Sequence, residues 1–310
     1  MISKRKTALL TLWIALWSNT SSGAGVNQAE PADLIQRLWT ESRSPVYQAP
    51  NPQQLDQAQA LFEQTLRASN PVHHQQAWHK LGFELLPIPP GAPGTGTMFV
   101  LREMPGQQRG WGFFLFNPGA PQRWILQAPH SISDLHTGQI AAQLSTSGRF
   151  WAGAWNTVPR HYRNPLDPSA SADLAHRQDS LLLRFTQAAL TVQPQLAVLQ
   201  LHGFASAKRR TVQAARSAAI ISPGQNTRQA LSTAFSQCLN DRLAEPILLF
   251  PRDTKELGGT TNTIARWLRS QNRSRFVHFE MALDLRQQLR RDSAFRTLLL
   301  DCLEQADSAL

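Results

Sequence analysis

Between residues 97 and 310 one texture recurs, a short apolar run followed by a longer amphipathic one, and it restricts the chain to folds in which strands alternate with helices. The runs at 98–101, 111–116, 124–127, 150–155, 196–201, 247–250 and 276–279 read as strands, with helices expected near 137–144, 172–190, 227–243 and 283–302. Strands separated by helices of this length predict an α/β three-layer sandwich with a mixed, largely parallel central sheet. The first two runs, joined by a turn at Pro105 and Gly106, predict an antiparallel edge. Upstream, Leu34, Leu38, Leu55, Ala58, Leu61, Phe62 and Leu66 lie mostly three or four apart, and Pro50, Pro52 and Pro71 divide them. That spacing predicts a small helical region over 26–86 ahead of an α/β domain over 97–310. The glycines of the intervening 87–96 loop lack the strand, loop, helix setting of a phosphate cradle and read as turn formers.

Compartment is read from the first residues. Lys4, Arg5 and Lys6 precede an apolar run over 8–17 and a small-residue stretch over 21–25. This order is that of a signal peptide over 1–25, and its apolar core is shorter than the about 20 residues a membrane span needs. A periplasmic or secreted protein with no stable membrane anchor is expected. Three cations of the formal net charge of +10 belong to that leader. The remaining excess favours anionic surroundings such as cell-wall polymers or lipid headgroups. It is scattered, without the interleaved cations and aromatics of a nucleic-acid-binding face, so no nucleic acid is expected as a partner. In an oxidising compartment Cys238 and Cys302 would form a disulfide; two buried small hydrophobes are the alternative.

The chemistry is expected at strand ends. Four apolar runs finish on polar residues: His130, Asn156, His202, and the His278–Glu280 segment. In an open α/β sheet the carboxyl ends of the strands are where ligands bind. A divalent metal such as zinc takes imidazole and carboxylate donors and leaves a position for water, and His130, Asp134 and His202 supply such a set, with His136 an alternative ligand. Asp134 would otherwise cap the helix after it. Glu280 is the candidate general base, its pKa expected to rise on partial burial; a carboxylate at a helix start is the structural alternative. Arg160 and Arg286 are placed to grip a substrate carboxylate or are solvated surface, and Asn156 contacts substrate or shapes its loop. Asp173, His176 and Asp179 lie three apart, which on a helix permits a metal site but is explained more simply by a solvated face. The stretch 257–262 reads as a loop bordering the cleft.

His130 with a nearby acid, His202 in Leu-Gln-Leu-His-Gly-Phe, and Glu280 at a late strand end resemble, in order and context over residues 127–286, the zinc-dependent exopeptidase and amidase superfamily. That superfamily includes zinc carboxypeptidases and N-acetylmuramoyl-L-alanine amidases. The resemblance implies an α/β fold with a mixed sheet, zinc held by His130, His202 and an acid, and Glu280 as the residue that activates water. Carboxypeptidases of this type carry Glu three residues after the first histidine. Here Ser133 stands there and Asp134 follows it.

The expected function is therefore an exported zinc-dependent hydrolase of peptide or amide bonds acting on a peptide or peptidoglycan-like substrate. A serine hydrolase is disfavoured because no G-x-S-x-G elbow occurs. A non-catalytic exported peptide- or peptidoglycan-binding protein of the same fold is the remaining alternative, with nine tryptophans as material for a groove.

Overall fold

The computed structural model describes residues 30–91, 96–121, 123–164 and 167–309; the expected signal peptide lies outside the described residues. Three helices come first, α1 (Pro31–Glu41), α2 (Pro52–Arg67) and α3 (Gln75–Lys80). Helix α2 starts where Asn51 and Gln54 exchange side-chain and backbone hydrogen bonds of 2.9 Å, a capping box with Pro52 in the first turn. There follow β1 (Phe83–Ile88), β2 (Met98–Glu103), β3 (Phe113–Phe116), β4 (Trp124–Ala128), α4 (Thr137–Ser145) and β5 (Ala152–Trp155). A small pair, β6 (Arg163–Asn164) and β7 (Asp167–Ser171), leads to α5 (Leu181–Val192), β8 (Ala197–Gly203), α6 (Val212–Arg216), β9 (Ala219–Ser222) and α7 (Ala230–Arg242). The chain ends with β10 (Ile247–Leu249), α8 (Thr263–Ser270), β11 (Phe276–Met281), α9 (Leu283–Arg291) and α10 (Ser293–Ser308).

Among the described residues the strands form a nine-stranded sheet in the order β1-β2-β3-β5-β4-β8-β11-β9-β10. Its middle, β5-β4-β8-β11, is parallel, as is the outer pair β9-β10. The β1-β2-β3-β5 edge is antiparallel, and β9 runs against β11. Helices cover both faces, giving the expected α/β sandwich with a mixed sheet. One face packs on α1, α4, α7, α9 and α10 and the other on α2, α5 and α8.

Strand alternation decides where polar groups lie. Along β4, β8 and β11 the residues Leu126, Ala128, Leu199, Leu201, Val277, Phe279 and Met281 share the first, wholly apolar face. Ile125, Val198 and Phe276 begin the second face with apolar contacts. The positions two and four residues further on that face are Gln127, Gln200, His202, His278 and Glu280, all buried. The second face thus turns from oily to polar toward the carboxyl ends of the central strands.

Four local expectations are revised. Strand β1 occupies sequence with no alternating signal and contains Pro87; it is tolerated because β1 is an edge strand, paired to β2 alone. Strand β9 is a four-residue run that periodicity does not distinguish. The helix expected from 172 begins only at Leu181, where the Ser180 hydroxyl accepts from Leu183 N, so Asp173, His176 and Asp179 occupy a loop and share no helical face. The helix expected over 283–302 is two, because the Asp292 side chain accepts from Ala294 and Phe295 N and starts α10 anew. Cys238 on α7 and Cys302 on α10 are joined in a disulfide with Cα atoms 5.5 Å apart. No helix among the described residues is long and apolar enough to cross a membrane.

Candidate metal centre

The turn after β4 brings the first two donors together. Asp134 N donates to His130 O at 2.8 Å, closing one helical turn, so side chains four apart meet on one side. Asp134 Oδ2 lies 3.4 Å from His130 Nδ1. His202, near the end of β8, completes the group, its Nδ1 3.2 Å from His130 Nδ1 and 3.5 Å from Asp134 Oδ2. Donors at about 2.0 Å from one tetrahedral ion lie about 3.3 Å apart, so these three buried atoms fit a metal by spacing and by chemistry. Asp134 does not cap α4, whose start has no side-chain cap.

Each donor has a partner behind it. Asp173 Oδ1 accepts from His130 Nε2 at 2.8 Å, Gln200 Oε1 lies 3.1 Å from His202 Nε2, and Gly203 N donates to Asp134 Oδ2 at 3.0 Å. Such groups fix the orientation of ligands around a metal. Burial opposes protonation of His130, but its bonds to Asp134 and Asp173 outweigh burial and raise its pKa. Burial pushes His202 down to about 4, so at neutral pH its ring is neutral. Asp134 stays ionised because its hydrogen bonds, above all to His130, overcome burial.

A second group shares His202: the ligand atoms of His202, His278 and Glu280 lie within 4.8 Å of one another. Here His278 Nε2 and Glu280 Oε1, 3.2 Å apart, engage each other. The Glu280 pKa is lowered rather than raised, since the His278 hydrogen bond and the neighbouring histidines offset its burial. This corrects the expectation from burial alone, and leaves a carboxylate beside the metal-type cluster. His278 was recognised in the sequence only as part of its strand; the alternation that puts it on the face of Glu280 was the available signal. Its ring packs on the 257–262 loop, where a Cβ at Gly259 would come within 2.9 Å of the ring and the backbone has φ +59°. That loop does border the site.

The remaining expected residues divide. Arg160 lies at the mouth, Nη1 3.1 Å from His130 Nδ1 and Nη2 3.1 Å from Asp173 Oδ2. With side chains 30% and 17% exposed, Arg160 and Asp173 mark the side from which solvent reaches the cluster. Asn156 is buried, donating to Ala172 O and accepting from Val158 N, and so shapes the loop leading to Asp173 instead of facing a substrate. Arg286 is buried as well, donating to the carbonyls of Met281, Leu135 and Phe204. Its guanidinium packs across Gly203, where a Cβ would approach within 2.6 Å. It ties the His130 turn, the exit of β8 and the end of β11 together, which corrects its assignment as a substrate contact. His136 stands outside both donor groups, its Nδ1 3.2 Å from Gln139 Oε1. Asp173, a weak suspicion in the sequence, belongs to the centre through a loop. Trp39, Trp78, Trp111, Trp124, Trp151 and Trp155 are buried and Trp267 packs against the core, which removes them as an open groove.

No protein-family model matches the chain, and a comparison with curated proteins found no match. Among solved structures it is similar to the gene product Atu2144 from Agrobacterium tumefaciens, at 13% identity and TM-score 0.39, over 60% of this chain and 89% of that one. It is also similar to N-formylglutamate amidohydrolase from Ralstonia eutropha JMP134, at 11% identity and TM-score 0.38, over 63% and 96% of the two chains. A third likeness is to LapB from Legionella pneumophila, at 11% identity and TM-score 0.37, over 90% and 71%.

Proposed function

We propose that this chain is an exported zinc-dependent hydrolase of peptide or amide bonds. The observation that carries the reading is the convergence of His130 Nδ1, His202 Nδ1 and Asp134 Oδ2 at 3.2–3.5 Å, with the Glu280 carboxylate in the adjoining group. Two imidazole nitrogens and a carboxylate are a zinc-type donor set, whereas magnesium and calcium prefer all-oxygen sites. When bound, zinc supplies a Lewis acid that polarises the scissile carbonyl and acidifies water.

The chain's own residues do the rest. Glu280, held ionised by His278, takes the proton from the attacking water and delivers it to the leaving nitrogen. Asp173 keeps a proton on His130 Nε2 and so leaves Nδ1 as a donor. With His130 Nδ1 holding a metal, Arg160 would stay paired with Asp173 and offer Nη1 to an anionic group of the substrate. The disulfide and the leader-like composition of residues 4–25 support export, which favours envelope or extracellular peptides as substrates.

The test is elemental analysis of the purified protein beside hydrolysis of a mixed library of peptides and muropeptides. Stoichiometric zinc, cleavage abolished by chelation and restored by zinc, is the expected result. Absence of divalent metal with no zinc-dependent cleavage overturns the reading.

A further inference from the structure

Four buried polar side chains that perform no step of the proposed reaction form a continuous chain behind His202. Thr186 Oγ1 on α5 donates to Leu182 O at 2.8 Å. Gln127 Nε2 donates to Thr186 Oγ1 at 2.7 Å, and Gln200 Nε2 donates to Gln127 Oε1 at 2.9 Å. From the other side, Asn262 Nδ2 donates to Gln200 Oε1 at 2.8 Å, while Asn262 Oδ1 accepts from Ile264 N and Ala265 N at the start of α8. Gln127, Thr186 and Gln200 are 0% exposed and Asn262 2%, so water does not substitute for any partner.

The direction of this chain is fixed at both ends. A backbone carbonyl only accepts, so the Thr186 hydroxyl proton is committed to Leu182 and its oxygen must receive the amide N–H of Gln127. A backbone N–H only donates, so Asn262 must turn its oxygen to α8 and its NH2 to Gln200. Both constraints require that the atom Gln200 turns toward His202 is its oxygen. An oxygen 3.1 Å from His202 Nε2 demands a proton on that nitrogen, because two lone pairs facing each other in a dry interior leave both unsatisfied. A neutral ring has one such proton, so Nδ1 is left with its lone pair, aimed at His130 and Asp134.

We propose that the Thr186–Gln127–Gln200–Asn262 chain is a tautomer lock that makes His202 a ready metal ligand through Nδ1, with Gln200 as its positioning residue. The proposal rests on the reading of His202 as a ligand for its purpose, but the tautomer itself is a property of the metal-free protein.

The experiment records long-range 1H–15N spectra of chelator-treated, 15N-histidine-labelled protein, with His202→Ala used to assign the resonances. The lock predicts a His202 ring protonated at Nε2. Gln200→Leu is expected to move the ring to a mixture of tautomers and to weaken zinc binding about 10–100-fold. Gln200→Glu restores the pattern and binds zinc more tightly than Gln200→Leu. Its carboxylate accepts from Nε2–H and from Asn262 Nδ2, and turning the Gln127 amide toward it gives up the Gln127–Thr186 hydrogen bond. A residue that merely filled space would show the reverse order, since leucine suits a dry interior better than glutamate. If Gln200→Leu does not fold, the wild-type spectrum and Gln200→Glu still decide. Protonation at Nδ1 in the metal-free protein, or a Leu variant with unchanged tautomer and affinity, overturns the lock. An Nε2-protonated ring in a protein that takes up no zinc would retain the lock and overturn the metal reading instead.

Discussion

His130 and His202 bring equivalent nitrogens within 3.2 Å of each other from contrasting surroundings. His130 rises from a turn at the rim and leans on Asp173, a carboxylate paired with Arg160 and partly open to solvent. His202 lies within a central strand and leans on Gln200, a neutral amide tied through other neutral groups to two helices. The rim half uses charge, which strengthens its hydrogen bond and makes a good donor of the ring, but which salt and bound anions reach. The core half uses direction without charge, which solvent cannot disturb. A centre needing both a fixed geometry and contact with a polar substrate has reason to divide the task in this way.

Under the proposed function the two rings are equal ligands, and the largest predicted effect tests that equality. His202→Ala and His130→Ala should each abolish stoichiometric zinc, measured by elemental analysis after dialysis against a weak chelator. Retention of full zinc by either variant would remove that ring from the centre. Next in size is Glu280→Gln. It leaves the His130, Asp134 and His202 donors in place and removes the base, so turnover should fall about 10²- to 10⁴-fold with zinc content unchanged. Loss of zinc in this variant would make Glu280 a ligand and would shift the centre toward the His278 group.

The donor residues and the amides behind His202 were in principle readable, and the rim support Asp173 was not. His130, Asp134, His202 and Glu280 stood out because polar residues close apolar runs, and strand ends converge in an α/β sheet. Gln127 and Gln200 lie inside such runs, where a buried amide must have partners; period-two alternation then puts them on the face of His202 and Glu280. Asp173 carries no local signal. Its spacing to His176 and Asp179 imitates a helix, and only the tertiary path of the 172–180 loop brings it to His130. Arg286 was misjudged for a related reason: an arginine early in a helix looks solvated until the chain folds four carbonyls around it. The sheet was legible where strands are long and apolar, and illegible at β1 and β9, where a proline-bearing edge or a four-residue run leaves no period to detect.

The rim partner should be the more forgiving of the two supports. Asp173→Asn keeps an oxygen that can accept from His130 Nε2 but removes the charge and the anchor of Arg160, so zinc affinity should fall about 10-fold, the low end of the loss expected for Gln200→Leu. The residual binding should lose the salt sensitivity of the parent, read by competition with a chromophoric chelator across ionic strength. An unchanged salt dependence would show that the rim charge does not act on the centre, and the contrast with the Gln200 side would disappear.

The smallest effect on the centre is expected from the disulfide, which serves as the control for both halves. Cys238 and Cys302 lie on α7 and α10, packed against the apolar face of the sheet, whereas the donor cluster occupies the other face. Replacing both by serine opens a loop spanning a sequence separation of 64 residues. Chain entropy then predicts a stability loss of about 4 kcal/mol in urea melts. The sheet between them, filled by Leu199, Leu201, Val277 and Phe279, should insulate the centre, so zinc affinity and turnover measured well below the melting transition should equal those of the parent. A drop in affinity without unfolding would mean that the apolar layer transmits strain to His202. In that case the core half would owe its rigidity to the far side of the sheet as well as to the amide chain behind the ring.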